Sequence, residues 1–270
     1  MPQHNSVLIT GASSGIGRAL ALAYAQPHLR LALVGRNLQR LTEVATSARA
    51  KGAKVEPVRL DVRDRTAMKE WVTAADADRP FDLVIANAGI TTGLAPQAIT
   101  EDPEAVRAIF ATNLIGVLNS VEPLIVPMSA RGRGHIAVIG SVAGLISLPY
   151  SPAYCAAKAA VHAYATALRG RLEPRGVCVS LVIPGFVKTP LSDSISSLKP
   201  LEVSDVKAAA IIKRGLARGA STVAFPWPLV AAVRLAGVLP SRLVSRLLAG
   251  FQVNVPETTE RWHRDMQDLV

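Results

Sequence analysis

Short apolar runs alternate along the chain with longer stretches in which apolar positions recur every three or four residues. Residues 7–10, 29–35, 55–62, 81–86, 135–141, 177–183 and 222–225 read as strands. Most of these runs are apolar throughout rather than alternating, the pattern of strands covered on both faces. Residues 15–26, 38–51, 66–75 and 103–126 carry helical periodicity, and a further helix follows residue 151. Strands that take turns with helices predict a parallel sheet with helices on both sides. Right-handed crossovers make such a sheet a doubly wound, Rossmann-like α/β domain. No internal repeat or linker interrupts residues 1–225, so one domain is expected there, with residues 226–270 as a tail.

Two motifs give this framework a chemistry. The first is Thr10-Gly11-Ala12-Ser13-Ser14-Gly15-Ile16-Gly17, placed between the first strand and the first helix. Glycines there permit a tight turn and a close approach of backbone to a pyrophosphate, while the helix N-terminus offers free N–H groups. Ser13 and Ser14 add hydroxyl donors. The second is Tyr154-Cys155-Ala156-Ala157-Lys158, in which phenol and ammonium lie about one helical turn apart on one face. Ser151 is expected to cap that helix and Pro152 to occupy its first position. An ammonium beside a phenol favours the phenolate, so Tyr154 is expected to have a lowered pKa and to act as acid and base. Cys155 is expected to face away from the site as filler.

The end of the second strand bears on the choice of nucleotide. An NAD site places a carboxylate there for the ribose hydroxyls. This chain has Val34-Gly35-Arg36-Asn37, with Arg40 one turn on. The guanidinium fork of Arg36 suits a 2′-phosphate, so NADP(H) is expected over NAD(H).

With these motifs in order, the chain closely resembles the short-chain dehydrogenase/reductase family over residues 6–225. The resemblance also rests on Asp61-Val62, Asn87-Ala88-Gly89, Asn113, Ser141 and Pro184-Gly185 followed by Val187 and Thr189. It implies that Tyr154 exchanges a proton with the substrate oxygen and that Ser141 hydrogen-bonds the same oxygen. It implies that Lys158 holds the nicotinamide ribose, and that Asn113 holds a water in a proton relay behind the lysine. By the same resemblance Asp61 and Val62 contact the adenine, while Asn87, with Ala88 and Gly89, lies beside the adenosine ribose. Thr189 matches the residue near the nicotinamide amide, and Pro184, Gly185 and Val187 are implied to bind the cofactor as well. The activity implied is interconversion of a carbonyl and an alcohol. A loop at residues 190–204, with Leu191, Ile195, Leu198 and Leu201, is expected to cover the site and to favour an apolar or extended substrate. A sugar-nucleotide epimerase or dehydratase shares Tyr-x-x-x-Lys, but its loop is closer to Gly-x-x-Gly-x-x-Gly. A non-catalytic NADP-binding scaffold fits less well with intact Ser141, Tyr154 and Lys158.

Composition narrows the setting. Of 270 residues, 50% are hydrophobic, which argues against disorder, and two cysteines, Cys155 and Cys178, make no disulfide framework. No His/Cys spacing indicates a metal site. No signal peptide is read at the N-terminus, and a cytoplasmic location is expected. The net charge of +10 owes much to residues 206–256, which contain no Asp or Glu but seven Lys or Arg. Few aromatics accompany them, so nucleic-acid binding is not expected. In the tail, Leu243, Val244, Leu247, Leu248 and Phe251 share a helical face, with Arg242 and Arg246 nearer the other. Packing on the domain or self-association as a homodimer or homotetramer is the leading expectation, with peripheral contact to an anionic membrane, Trp227 at headgroup depth, as a secondary role.

Overall fold

The computed structural model describes residues 4–94, 98–193, 199–237 and 239. Its elements, in chain order, are β1 (Ser6–Thr10), α1 (Gly15–Tyr24), β2 (Arg30–Gly35), α2 (Leu38–Arg49), β3 (Lys54–Arg59), α3 (Arg65–Asp78) and β4 (Leu83–Ala86). Then follow α4 (Pro103–Phe110), a π-turn (Ala111–Ile115), α5 (Gly116–Arg131), β5 (Gly134–Ile139), α6 (Pro152–Leu172) and β6 (Val177–Pro184). The last are β7 (Val187–Lys188), α7 (Pro190–Asp193), β8 (Val203–Ser204), α8 (Asp205–Ala217), β9 (Thr222–Phe225) and α9 (Trp227–Ala236).

Seven strands form one parallel sheet in the order β3-β2-β1-β4-β5-β6-β9, while β7 and β8 pair separately. The expected α/β architecture is therefore present. Alternate residues of β1 face opposite sides: Val7 and Ile9 join a core with α1, α2 and α8, and Leu8 joins one with α3, α5 and α6. Both faces of each central strand are thus dry, which is why those strands read as unbroken apolar runs.

Several element ends shift by one to three residues from the sequence expectation, and two of the differences bear on the site. The third strand stops at Arg59 rather than residue 62, leaving Asp61 and Val62 in the loop beyond it. It is an edge strand with one neighbour, β2, and it tolerates Pro57 opposite Leu33 because one side needs no ladder donor. The expected helix at 103–126 is interrupted by the π-turn, and its second half continues to Arg131. Residues 103–131 are apolar enough to cross a membrane by length and composition, but here Val117, Val121, Leu124 and Met128 pack against the sheet. The expected amphipathic face at 243–251 lies outside the described residues.

Candidate active site

The strand order reverses between β1 and β4, and ligands of such sheets bind at that point beyond the strand C-termini. The two strand ends are tied together there. Thr10 Oγ1 accepts from the main-chain N–H groups of Asn87 and Ala88 at 3.1 and 3.2 Å, and Asn87 Nδ2 donates to the Thr10 carbonyl at 2.9 Å. A cavity of about 420 Å³ opens above this seam. It runs from Arg36 and Asp61 at one end, past the glycine loop, to Ser141, Tyr154 and Lys158 at the other.

The loop is shaped as a phosphate cradle. Gly11 and Gly15 adopt φ of +65° and +52°, a region that side chains disfavour. Ser14 caps α1 through its backbone alone, so its hydroxyl is not spent on the helix. Gly17 is a correction to the expected lining, because it lies beneath the loop rather than on the cavity wall. A Cβ there would stand 2.2 Å from the Gly11 carbonyl oxygen, so this glycine serves close packing of loop on helix. Thr189 and Gly15 are neighbours across the cleft, and Pro184, Gly185 and Val187 complete that wall. A dinucleotide fits these features: a close-approach loop, a helix N-terminus, and a cavity long enough to join the loop to Tyr154.

At the far end of β2, Asn37 caps α2 by accepting from Arg40 N at 2.9 Å, leaving Arg36 and Arg40 on the cavity wall. Asp61 faces them with Arg63 doubly bonded to its carboxylate. Burial pushes the Asp61 carboxyl up, but the Arg63 bonds and charge, with Arg36 behind, outweigh it and hold the group below the usual carboxylate range. Arg63 is missed by the sequence reading; its place two residues after Asp61 is the signal that could have found it.

Ser141 follows β5 and begins a short 3₁₀ turn, where its Oγ accepts from Ala143 N at 3.1 Å and hydrogen-bonds the Tyr154 hydroxyl. Lys158 Nζ donates to the Ile139 carbonyl at 2.9 Å and lies 5.8 Å from the centre of the Tyr154 ring. The expected lowering of the Tyr154 pKa is not what the structure gives. Burial pushes the phenol up to about 12, with the Ser141 hydrogen bond opposing and Cys155 adding to the rise. Burial also pushes Lys158 down to about 8. Both groups line the same cavity, and the protein packed around them acts against the charged form of each.

Asn113 is placed at the π-turn, fully buried and off the cavity wall. Its side chain accepts from Ile90 N and donates to Ile90 O, both at 2.8 Å, so the amide is committed to holding the turn after Asn87-Ala88-Gly89. Ser151 does not cap α6 with its side chain; its Oγ donates to Thr92 O at 2.7 Å. Glu101 takes the capping part instead, accepting from Ala153 N at 2.8 Å, and no local sequence signal reveals a cap from so distant a segment. Pro152 opens the helix as expected. Cys155 is buried, accepting from Leu148 N at 3.4 Å. Of the covering loop, Leu191 lines the cavity and Leu201 is exposed, while Ile195 and Leu198 lie outside the described residues.

The start of the tail packs beside this end of the cleft. Leu229 of α9 lies against Gly185, where a Cβ would meet its Cδ2 at 2.7 Å. Trp227 is exposed.

The description "short chain dehydrogenase" matches residues 5–199. An uncharacterized oxidoreductase of Myxococcus xanthus is 38% identical over 241 residues, covering 89% of this chain and 94% of that protein. A short-chain dehydrogenase/reductase of Burkholderia phymatum, solved with NAD, superposes with a TM-score of 0.77 at 25% identity, covering 87% of this chain and 93% of that one. A short-chain dehydrogenase of Sphingobium yanoikuyae, solved with NADPH, gives 0.74 at 25% identity, covering 87% and 96%.

Proposed function

Since this chain belongs to the short-chain dehydrogenase family and is an NAD(P)-dependent oxidoreductase, we propose that it uses NADP(H) to interconvert a carbonyl and an alcohol on an apolar or extended substrate. The observation that carries this reading is one cavity joining the glycine loop to Ser141, Tyr154 and Lys158. NADP(H) is favoured by Arg36 and Arg40 at the end of β2, where the sequence Val34-Gly35-Arg36-Asn37 itself contains no carboxylate. An apolar substrate is favoured by Leu148, Phe186 and Leu191 on the cavity wall.

When bound, the nicotinamide supplies or takes up the hydride. The protein moves the proton. In the reductive direction Tyr154 gives its phenolic proton to the oxygen that gains negative charge, and Ser141 donates a hydrogen bond to the same oxygen. The Tyr154 pKa of about 12 keeps that proton in place at neutral pH. Lys158, anchored on Ile139, brings an ammonium toward the phenolate that remains and would hold the nicotinamide ribose when the cofactor is bound. Asn113 acts at one remove, by fixing Ile90 and the turn that borders the ribose site.

For the tail, packing on the domain or self-association stays the leading role; Ile115 and Val126, exposed on the α5 side of the domain, offer apolar surface for a second copy. The deciding experiment is turnover of an acyl, steroid-like, polyketide-like and sugar carbonyl panel with NADPH and with NADH. Oxidation of NADPH with an apolar ketone, faster than of NADH, is the expected result. Turnover only with NADH, or only with the sugar carbonyls, would overturn the respective half of the proposal.

A further inference from the structure

His162 occupies the next turn of α6 after Lys158, so Tyr154, Lys158 and His162 stand at successive intervals of four on one helix face. The imidazole is buried, and its Nε2 lies 3.3 Å from the main-chain nitrogen of Ser141. Ser141 sits one residue past the last ladder bond of β5, from Gly140 N to Val182 O at 2.7 Å. Its N–H therefore leaves the sheet with no strand to receive it and points at the ring. The two glycines around Ser141 make room for that ring. A Cβ on Gly140 would meet Nε2 at 2.3 Å, and one on Gly144 would meet Cε1 at 2.6 Å.

We infer that His162 is a positioning residue that fixes the Ser141 main chain so that the serine hydroxyl meets Tyr154 and the substrate oxygen. Two contacts then hold the serine from opposite sides. His162 receives its backbone N–H, and Ala143 N donates to its Oγ, which leaves the hydroxyl proton free to point at Tyr154. The ring must present an unprotonated Nε2, with its proton on Nδ1. Burial, and then the charge of Lys158, hold the His162 pKa down at about 4, so the acceptor persists at neutral pH. The backbone of Ser141 is thus set by the helix that carries Tyr154 and Lys158, and the three groups share one rigid support.

This inference rests on the reading of Ser141 as the partner of the substrate oxygen, and the test separates the two. His162→Leu removes the acceptor and keeps an apolar filling; His162→Gln keeps a side-chain oxygen able to accept. Misplacing a group by about 1 Å costs up to about 100-fold in rate. In His162→Leu, kcat is expected to fall roughly 10- to 100-fold. The NADPH dissociation constant should stay within about twofold, because the phosphate loop is untouched. His162→Gln is expected to recover most of the loss. Amide hydrogen exchange at Ser141, which needs no substrate, should accelerate at least about tenfold in His162→Leu while the β5 amides of Ile136 and Val138 keep their protection. If His162→Leu does not fold, the comparison is wild type against His162→Gln, and a Ser141 amide as labile as an exposed loop in the wild type overturns the inference. Unchanged kcat or unchanged Ser141 exchange in His162→Leu also overturns it. Retained turnover in Tyr154→Phe would instead overturn the catalytic reading and leave the exchange result to judge His162.

Discussion

Lys158 Nζ donates to the carbonyl oxygen of Ile139, the last residue of β5. The ammonium is thereby tied to the C-terminal end of an interior strand while still lying 5.8 Å from the centre of the Tyr154 ring, and burial is the largest influence on the proton affinity of Tyr154.

Replacing Tyr154 with Phe removes that proton and keeps the ring. Turnover is expected to fall on the order of 100-fold or more, as for other positioned acids. Binding of NADPH, followed by fluorescence, should change little. Near-normal turnover would remove Tyr154 from the mechanism.

Arg36→Ala should weaken NADPH far more than NADH. A hydrogen bond to a charged group contributes about 1.5–3 kcal/mol, or roughly ten- to a hundredfold in affinity. Titration of both nucleotides against both proteins measures this. Equal losses would mean that Arg36 does not read the 2′-phosphate.

Gly17→Ala puts a methyl group 2.2 Å from the Gly11 carbonyl oxygen, which neither loop nor helix can absorb without moving. Overpacking of this kind costs about 1–3 kcal/mol. Both the unfolding midpoint and nucleotide affinity are expected to drop together. A fall in affinity with unchanged stability would make Gly17 a direct contact after all.

A buried pair at the opposite end of the sheet sets an acid limit. His135 Nε2 meets Ser180 Oγ at 2.8 Å, and the Ser180 hydroxyl donates a hydrogen bond to the Ala220 carbonyl. His135 Nδ1 meets His4 Nε2 at 3.2 Å. Burial, and then His4, push His135 down to about 3 from an ordinary 6.5. Between these values the unfolded chain binds the proton that the folded one refuses, so stability should fall as pH falls from about 6.5 toward 3. The slope approaches about 1.4 kcal/mol per pH unit for this group. Denaturant unfolding at pH 7, 6, 5 and 4 tests it, and His135→Gln should flatten the curve; parallel curves would exclude His135 as the cause.

Removing residues 226–270 takes Leu229 away from Gly185. KM for an apolar ketone is expected to rise, because that wall borders the substrate end of the cleft. Sizing columns and anionic vesicles show whether assembly or membrane contact goes with it. Unchanged KM, assembly and vesicle binding would leave the tail without either role.

The parts legible in the sequence are those encoded by local rules. Buried parallel strands are apolar runs, and β1, β2 and β5 lie within a residue or two of where such runs place them. The glycine loop declares itself because tight turns admit few other residues. The parts that were not legible depend on what lies across the fold. Pro57 and the half-exposed pattern of β3 blur its end. Glu101 caps a helix that begins 51 residues later, and nothing beside it in the chain says so. The spacing of Tyr154 and Lys158 was correct, but the proton affinity that it implied was not, because spacing carries no information about burial. His162 looked like any histidine on a helix until Gly140 and Gly144 were seen to enclose it.

The strand order has a consequence for how the chain is made. The first strand to leave the ribosome is β1, which ends up in the interior of the sheet, with β2 and then β3 added on one side. Every later strand, from β4 through β5 and β6 to β9, extends the other edge. No strand ever has to wedge between two already paired, so the sheet can grow outward at the pace of synthesis. The nucleotide seam comes into being only when β4 docks against β1.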